Sequence, residues 1–188
     1  MANKHRVRDQ IEEGNAEGLR KLFDAEPELA RENIEWGPNN KNVVPPLHYC
    51  CDMVFQKRCS QEQALALADV LIECGADIHE SYAKSGDTFL ISAASLGAEL
   101  IGLRLVELGA DVHARGLFGA TALHWSAFMG LPRLAAALIE AGAPTDLADA
   151  NYGSTPLGWA QHAWKEGSNG YKEHIPACAK LLGGSVEP

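Results

Sequence analysis

The stretch Thr121-Ala122-Leu123-His124-Trp125-Ser126-Ala127-Phe128-Met129-Gly130-Leu131-Pro132-Arg133-Leu134-Ala135-Ala136-Ala137-Leu138-Ile139-Glu140-Ala141-Gly142 decides the fold. It reads as two short helices with punctuation between them. Thr121 is placed to cap the first helix with its hydroxyl, and Gly130 releases the chain from it. Pro132 suits the first turn of a second helix, where its missing N–H would have had no partner. Leu134, Ala137, Leu138 and Ala141 then recur at helical spacing, and Gly142 ends the helix. Neither helix reaches the length at which an isolated helix is stable in water, so both apolar faces must be buried against something similar.

Similar segments lie on both sides. Thr88-Phe89-Leu90-Ile91-Ser92-Ala93-Ala94 precedes the stretch and Thr155-Pro156-Leu157-Gly158-Trp159-Ala160-Gln161 follows it, with Leu90, Leu123 and Leu157 spaced by 33 and 34 residues. Gly75-Ala76-Asp77, Gly109-Ala110-Asp111 and Gly142-Ala143-Pro144 recur in phase, 34 and then 33 residues apart. A period near 33 with a Thr-Pro-Leu-His-x-Ala core resembles the ankyrin repeat, and the resemblance covers nearly the whole chain. It implies an all-α fold: an ankyrin-repeat α-solenoid of about five helix-turn-helix units joined by β-hairpin-like fingers. The expected layout is a single domain over 1–188, with a cap pair at 1–36 and repeats at 37–79, 80–114 and 115–148. A degenerate last repeat follows at 149–188.

The totals agree with a stack of thin layers. The 188 residues are 46% hydrophobic, ample for layers that bury one another. A formal charge of −9 argues against a nucleic-acid partner, because phosphate binding needs a basic stripe. Most of the acidity falls in the first 115 residues, which would steer a partner with a basic surface toward that half. The plainer account is that the charge keeps a repeat protein soluble. Five cysteines, Cys50, Cys51, Cys59, Cys74 and Cys178, do not form the even-numbered framework of a small secreted protein. Cys50 and Cys51 fall in slots that Ala93-Ala94 and Ser126-Ala127 fill elsewhere. The chain starts without the apolar run of a signal peptide, and no segment approaches the roughly 20 apolar residues of a membrane span. The expectation is a cytoplasmic, monomeric protein.

Residues 5–27 read as a terminal helix pair turning at Gly14-Asn15, with Val7, Ile11, Leu19, Leu22 and Phe23 on its apolar side. The long connection from Arg31 to Pro45, with the turn signal Gly37-Pro38-Asn39-Asn40, reads as an enlarged finger. Leu47 to Gly75 is nine residues longer than the matching span in the next two repeats, which places an insertion within 52–63, around Gln56 to Gln61. A comparable insertion, 165–173, precedes a helix expected over Ala177 to Leu182. Both insertions are expected as loops on the helix–helix edge, away from the fingers.

Residues with chemical potential are few. His48 and His124 stand where the family places a structural histidine whose ring bonds backbone of the neighbouring finger. His48, Cys50, Cys51 and Cys59 form one local Cys/His cluster and carry the competing metal-binding or enzymatic reading, although the C-x₂₋₄-C spacing of zinc sites is missing. No phosphate loop, nucleophile elbow or H-E-x-x-H is present, and the repeats use up the chain. No enzyme activity, cofactor or metal is expected. The aromatic residues are more informative. Trp125 and Trp159 share one slot on successive first helices, and in the family that slot borders the concave face. Phe128-Met129 ends a first helix where the family places exposed residues, while Leu117, Phe118 and Tyr152 sit near finger tips and Tyr82 lies on an earlier finger. Inter-repeat packing competes as the account of Trp125 and Trp159. Together Tyr82, Leu117, Phe118, Trp125, Phe128, Met129, Tyr152 and Trp159 are the expected partner-binding residues. Large apolar groups gathered on one surface are what a protein-binding hot spot requires. The resemblance thus implies non-catalytic protein binding, as inhibitor, immunity-type protein or adaptor.

Overall fold

Among the described residues no helix exceeds 13 residues, so lateral packing has to supply the stability that length does not. The computed structural model describes residues 5–36, 38, 42–82, 85–167 and 170–186. Its helices are α1 (Arg6–Glu12), α2 (Ala16–Ala25), α3 (Pro46–Phe55), α4 (Gln61–Glu73), α5 (Phe89–Ser95), α6 (Glu99–Glu107), α7 (Ala122–Met129), α8 (Pro132–Glu140), α9 (Pro156–Glu166) and α10 (Ile175–Leu181). Consecutive helices pair into five layers. The first helices α1, α3, α5, α7 and α9 form one row, each packed on the next, and the second helices α2, α4, α6, α8 and α10 form the other. No helix among the described residues is long and apolar enough to cross a membrane.

The repeating leucines hold the layers together. Leu47, Leu90 and Leu123 are fully buried in the first row, and Leu71, Leu105 and Leu138 in the second. Leu157, in the same slot of the last first helix, is half-buried, since a layer packs on only one side of it. Small residues between the rows let the helices approach: Cys50, Cys51, Ala93, Ala94, Ser126 and Ala127 are all buried. Gly130 ends α7 in the left-handed conformation at φ 71°, and a Cβ there would meet the Tyr171 carbonyl oxygen at 2.2 Å. Only glycine satisfies both demands.

Side chains at the start of second helices stitch one layer to the next. The Gln61 amide donates to the Gly97 carbonyl at 2.7 Å and accepts from the Leu100 N–H at 3.3 Å. Glu99 Oε1 accepts from the Arg133 and Leu134 N–H groups at 3.2 and 3.3 Å. Each satisfies helix N-terminal donors that have no partner within their own helix, and the Glu99 charge also suits that end of the helix dipole.

The first long connection is a two-stranded antiparallel hairpin, β1 (Ile34–Trp36) with β2 (Asn42–Val44), pairing Ile34 with Val44 and Trp36 with Asn42. Within its turn signal, Gly37, Asn39 and Asn40 lie outside the described residues. Later fingers are tighter: an isolated bridge joins Ser81 to Thr88, and a 3-10 turn covers Leu117–Gly119.

The insertion within 52–63 is not the loop that its spacing suggests. α3 has 10 residues where α5 has 7, and α4 has 13 where α6 has 9, so most of the extra chain lengthens the two helices. Ser60 and Gln63 explain the early start of α4: the Ser60 hydroxyl accepts from the Gln63 N–H and the Gln63 side chain from the Ser60 N–H. In the last layer α9 runs on to Glu166 and α10 begins at Ile175, two residues before the expected Ala177. Pro176 at the second position of α10 fits that earlier start. Residues 168 and 169 of the second insertion lie outside the described residues.

Because Leu123 touches layers on both sides, its truncation should cost about 2–5 kcal/mol, the range for a buried leucine. Denaturant unfolding of Leu123→Ala against the parent chain measures this; a cost within error would mean Leu123 is not in a packed layer.

Candidate functional site

The first-helix row and the fingers share one face, and on it α7, α9 and their two fingers enclose a groove of about 570 Å³. Phe118, Trp125, Phe128, Tyr152, Ser154, Trp159 and His162 line it. The repeat places Trp125 and Trp159 in one slot on adjacent helices, and their rings meet edge to face with centroids 4.9 Å apart. Phe128 lies one turn beyond Trp125 on α7 and touches both indoles, with centroid separations of 6.1 and 5.9 Å. From the finger, Phe118 closes the ring at 6.5 Å from Trp125 and 6.0 Å from Tyr152. Edge-to-face and tilted pairs of this kind are favoured by the aromatic quadrupole, so the cluster holds its shape without filling the groove.

The buried Asp149, 5% exposed, anchors one wall. Its Oδ1 accepts from the Asn151 and Tyr152 N–H groups, and its Oδ2 from the Ser154 N–H and the Trp159 indole N–H at 2.9 Å. Burial pushes the Asp149 carboxyl up, but these hydrogen bonds outweigh it and hold the group down at about 2. The carboxylate therefore fixes the Tyr152 turn and the Trp159 ring together. His124 ties the finger to α7. Its Nδ1 lies 3.2 Å from the Thr121 N–H and accepts from it, which leaves Nε2–H to donate to the Ser154 carbonyl at 3.2 Å. Burial lowers the His124 pKa, consistent with a neutral ring in that tautomer. The Trp125 indole N–H, also buried, has no acceptor among the described residues.

The other wall is under backbone strain. Phe118 has φ 63°, the left-handed region that costs a residue with a side chain about 1 kcal/mol or more. Its neighbours hold it there: the Phe118 carbonyl accepts from the Ala150 N–H at 2.8 Å, and the Leu117 N–H donates to Asp87 at 2.9 Å. Arg115 donates to the Gly119 and Ala148 carbonyls. At Gly119 a Cβ would lie 2.6 Å from that of Ala150, so this close approach of two fingers also needs glycine.

Of the residues expected to bind a partner, the structure brings together Phe118, Trp125, Phe128, Tyr152 and Trp159. Trp159 is the deepest at 8% exposed, and Tyr152 the most open at 71%. Met129 departs from the expectation of an exposed contact. It is 4% exposed, its methyl 3.5 Å from the Cβ position of Gly97 and its carbonyl accepting from the Tyr171 N–H. Adjacent helix residues diverge by about 100°, so Phe128 faces the groove and Met129 faces the helix–helix edge. Tyr82 also lies elsewhere, stacked on the His48 ring at 5.5 Å in an earlier layer. Leu117 is exposed on the same finger but does not line the groove. The sequence reading missed Asp149, Ser154 and His162. The pattern Asp149-Ala150-Asn151-Tyr152-Gly153 signals an Asx turn, but nothing in it points to a tryptophan ten residues on.

The Cys/His cluster does not assemble into a metal site among the described residues. Cys50 and Cys51 are core residues whose thiols burial pushes well up, away from the thiolate that a metal needs. His48 is directed to the Ser92 hydroxyl at 3.0 Å rather than to neighbouring finger backbone, and burial lowers its pKa. Asp52, 3.7 Å from the His48 ring, is pushed up to about 6 by burial. Among the described residues no three His, Cys, Asp or Glu side chains are placed to hold one metal ion.

Comparison with known proteins agrees with the layered architecture. The family model described as "Ankyrin repeat" matches residues 118–150, which span the groove's first finger, α7, α8 and the start of the next finger. The chain is also similar to the inactive serine/threonine-protein kinase TEX14 of Bos taurus, 37% identical over 94 residues. That match takes in 50% of this chain but only 6% of the relative.

The Asp149 hydrogen bonds predict a stability signature with a definite sign. A carboxyl held at about 2, below its ordinary 3.8, stabilises the fold fully above the ordinary value and loses that contribution as pH falls toward 2. Asp149→Ala should cost about 2 kcal/mol or more at neutral pH, because four donors lose their acceptor. It should also flatten the loss of stability between about pH 4 and pH 2. Denaturant unfolding across that range checks both.

Proposed function

We propose that this chain, an ankyrin-repeat protein, binds another protein in the aromatic groove between its fourth and fifth layers. The observation that carries the reading is the convergence of five large rings from four separate elements on one accessible groove. Interface energy concentrates in a few such aromatic anchors, and here Phe118, Trp125 and Phe128 stay partly open and Tyr152 mostly so around the deeper Trp159. Ankyrin repeats are generally protein-binding modules without catalysis, and the same is proposed here. The chain would act by occupying its partner, as an inhibitor, an immunity-type protein or an adaptor. It would do so as a monomer in the cytoplasm with its thiols reduced and no bound metal. The charge of −9 favours a partner with a basic surface over a nucleic acid.

Phe118→Gly and Tyr152→Ala separate binding from folding. The first removes a ring and at the same time relieves a left-handed backbone, and the second truncates a side chain that is mostly in solvent. Each should weaken the captured partner by about 2 kcal/mol or more with the melting temperature nearly unchanged. The check is affinity capture with parent and variant chains side by side, followed by titration of the recovered protein. Unchanged affinity in both variants would move the binding face elsewhere.

A further inference from the structure

The groove's chemistry narrows what it takes. We propose that it receives the methylated ammonium group of a lysine side chain carried on a basic segment of the partner protein. This rests on the reading of the groove as the docking face and adds the identity of the group that enters it.

Three observations carry the inference. Phe118, Trp125, Phe128, Tyr152 and Trp159 present π systems to one space, and an aromatic face attracts a cation through its quadrupole. A negative charge lies behind that wall. Asp149 bonds the Trp159 indole N–H from behind, making the ring a better cation acceptor. It has only neutral N–H donors as partners and no ion-pair partner among the described residues. No lysine or arginine is among the described residues lining the groove, and Arg115 is engaged with the Gly119 and Ala148 carbonyls. The third observation selects among cations. Both Asp149 oxygens already accept two hydrogen bonds each, and the Ser154 carbonyl serves the Asp149 N–H and His124. What remains on the wall among the described residues is the hydroxyls of Ser154 and Tyr152 and the His162 ring, with no free carboxylate among them. An unmodified ammonium is strongly hydrated and a guanidinium carries five donors, so either would surrender water without a charged acceptor in exchange. A fully methylated ammonium has no donor to satisfy. The acidity of the first 115 residues favours basic residues where the same segment runs from the groove toward that half.

The test is an NMR titration of the full chain, following the Trp125 and Trp159 indole N–H signals. The probes are tetramethylammonium, ammonium and tert-butyl alcohol, the last a neutral group of similar shape. Tetramethylammonium should saturate the shifts at a concentration about tenfold lower than either other probe, and Phe118→Gly should weaken it. Equal response to tert-butyl alcohol would overturn the cation proposal while leaving an apolar docking groove intact. Equal response to ammonium would overturn the preference for methylation, and silence to all three would overturn the proposal outright. The docking reading itself stands or falls separately, on the partner affinity of Phe118→Gly and Tyr152→Ala. A final arm uses a short lysine-rich peptide with one trimethylated lysine, expected to bind more tightly than free tetramethylammonium. A peptide no tighter than the free ion would overturn a protein as the source of the group.

Discussion

Short helices that cannot stand alone are the constraint from which the rest of this structure follows. Helices of 7 to 13 residues lie near or below the length that is stable in water, so each is held by burial against the layers beside it. That requirement fixes leucine in recurring slots and small residues between the rows. It also puts Gln61 and Glu99 at helix starts, where they satisfy the orphan donors of the next layer. Stability of this kind is nearest-neighbour, and a defect in one layer is felt in the two that flank it.

The groove is a by-product of the same stacking. A repeat returns the same slot on every first helix, so a tryptophan written twice at one position becomes a pair of indoles in contact. The fingers then add Phe118 and Tyr152 from above. Holding that arrangement costs something: Phe118 keeps a left-handed backbone and Trp125 buries an indole N–H without an acceptor among the described residues. Asp149 offsets part of the cost by accepting four hydrogen bonds that tie a finger to α9. The strained Phe118 and the Trp125 donor thus lie at the same open groove.

Much of this was legible in the sequence, and the failures have physical causes. The 33-residue period, the Thr caps and the glycine stops announce paired short helices because local chemistry sets them. The shared slot of Trp125 and Trp159 likewise follows from counting. The burial of Met129 is not legible, because two adjacent apolar residues at a helix end do not reveal which of them turns inward; the 100° step decides it once the neighbours are in place. The extra residues near 52–63 looked like a loop because spacing counts residues without saying whether they lengthen a helix. Asp149 was invisible as an anchor because its bond to Trp159 exists only when the finger has folded back onto α9. Tyr82 also sits on a finger, but its ring stacks on His48 of the preceding layer, away from the groove, and a finger position alone does not reveal that.

The most direct measurement is hydrogen exchange on the chain with and without its captured partner. The account predicts slowed exchange in segments 115–128 and 149–162, the fingers and first helices that frame the groove. It predicts no change in 61–73 and 132–140, the second helices on the opposite row. Protection confined to those second helices, with the aromatic segments exchanging as in the free chain, would contradict it.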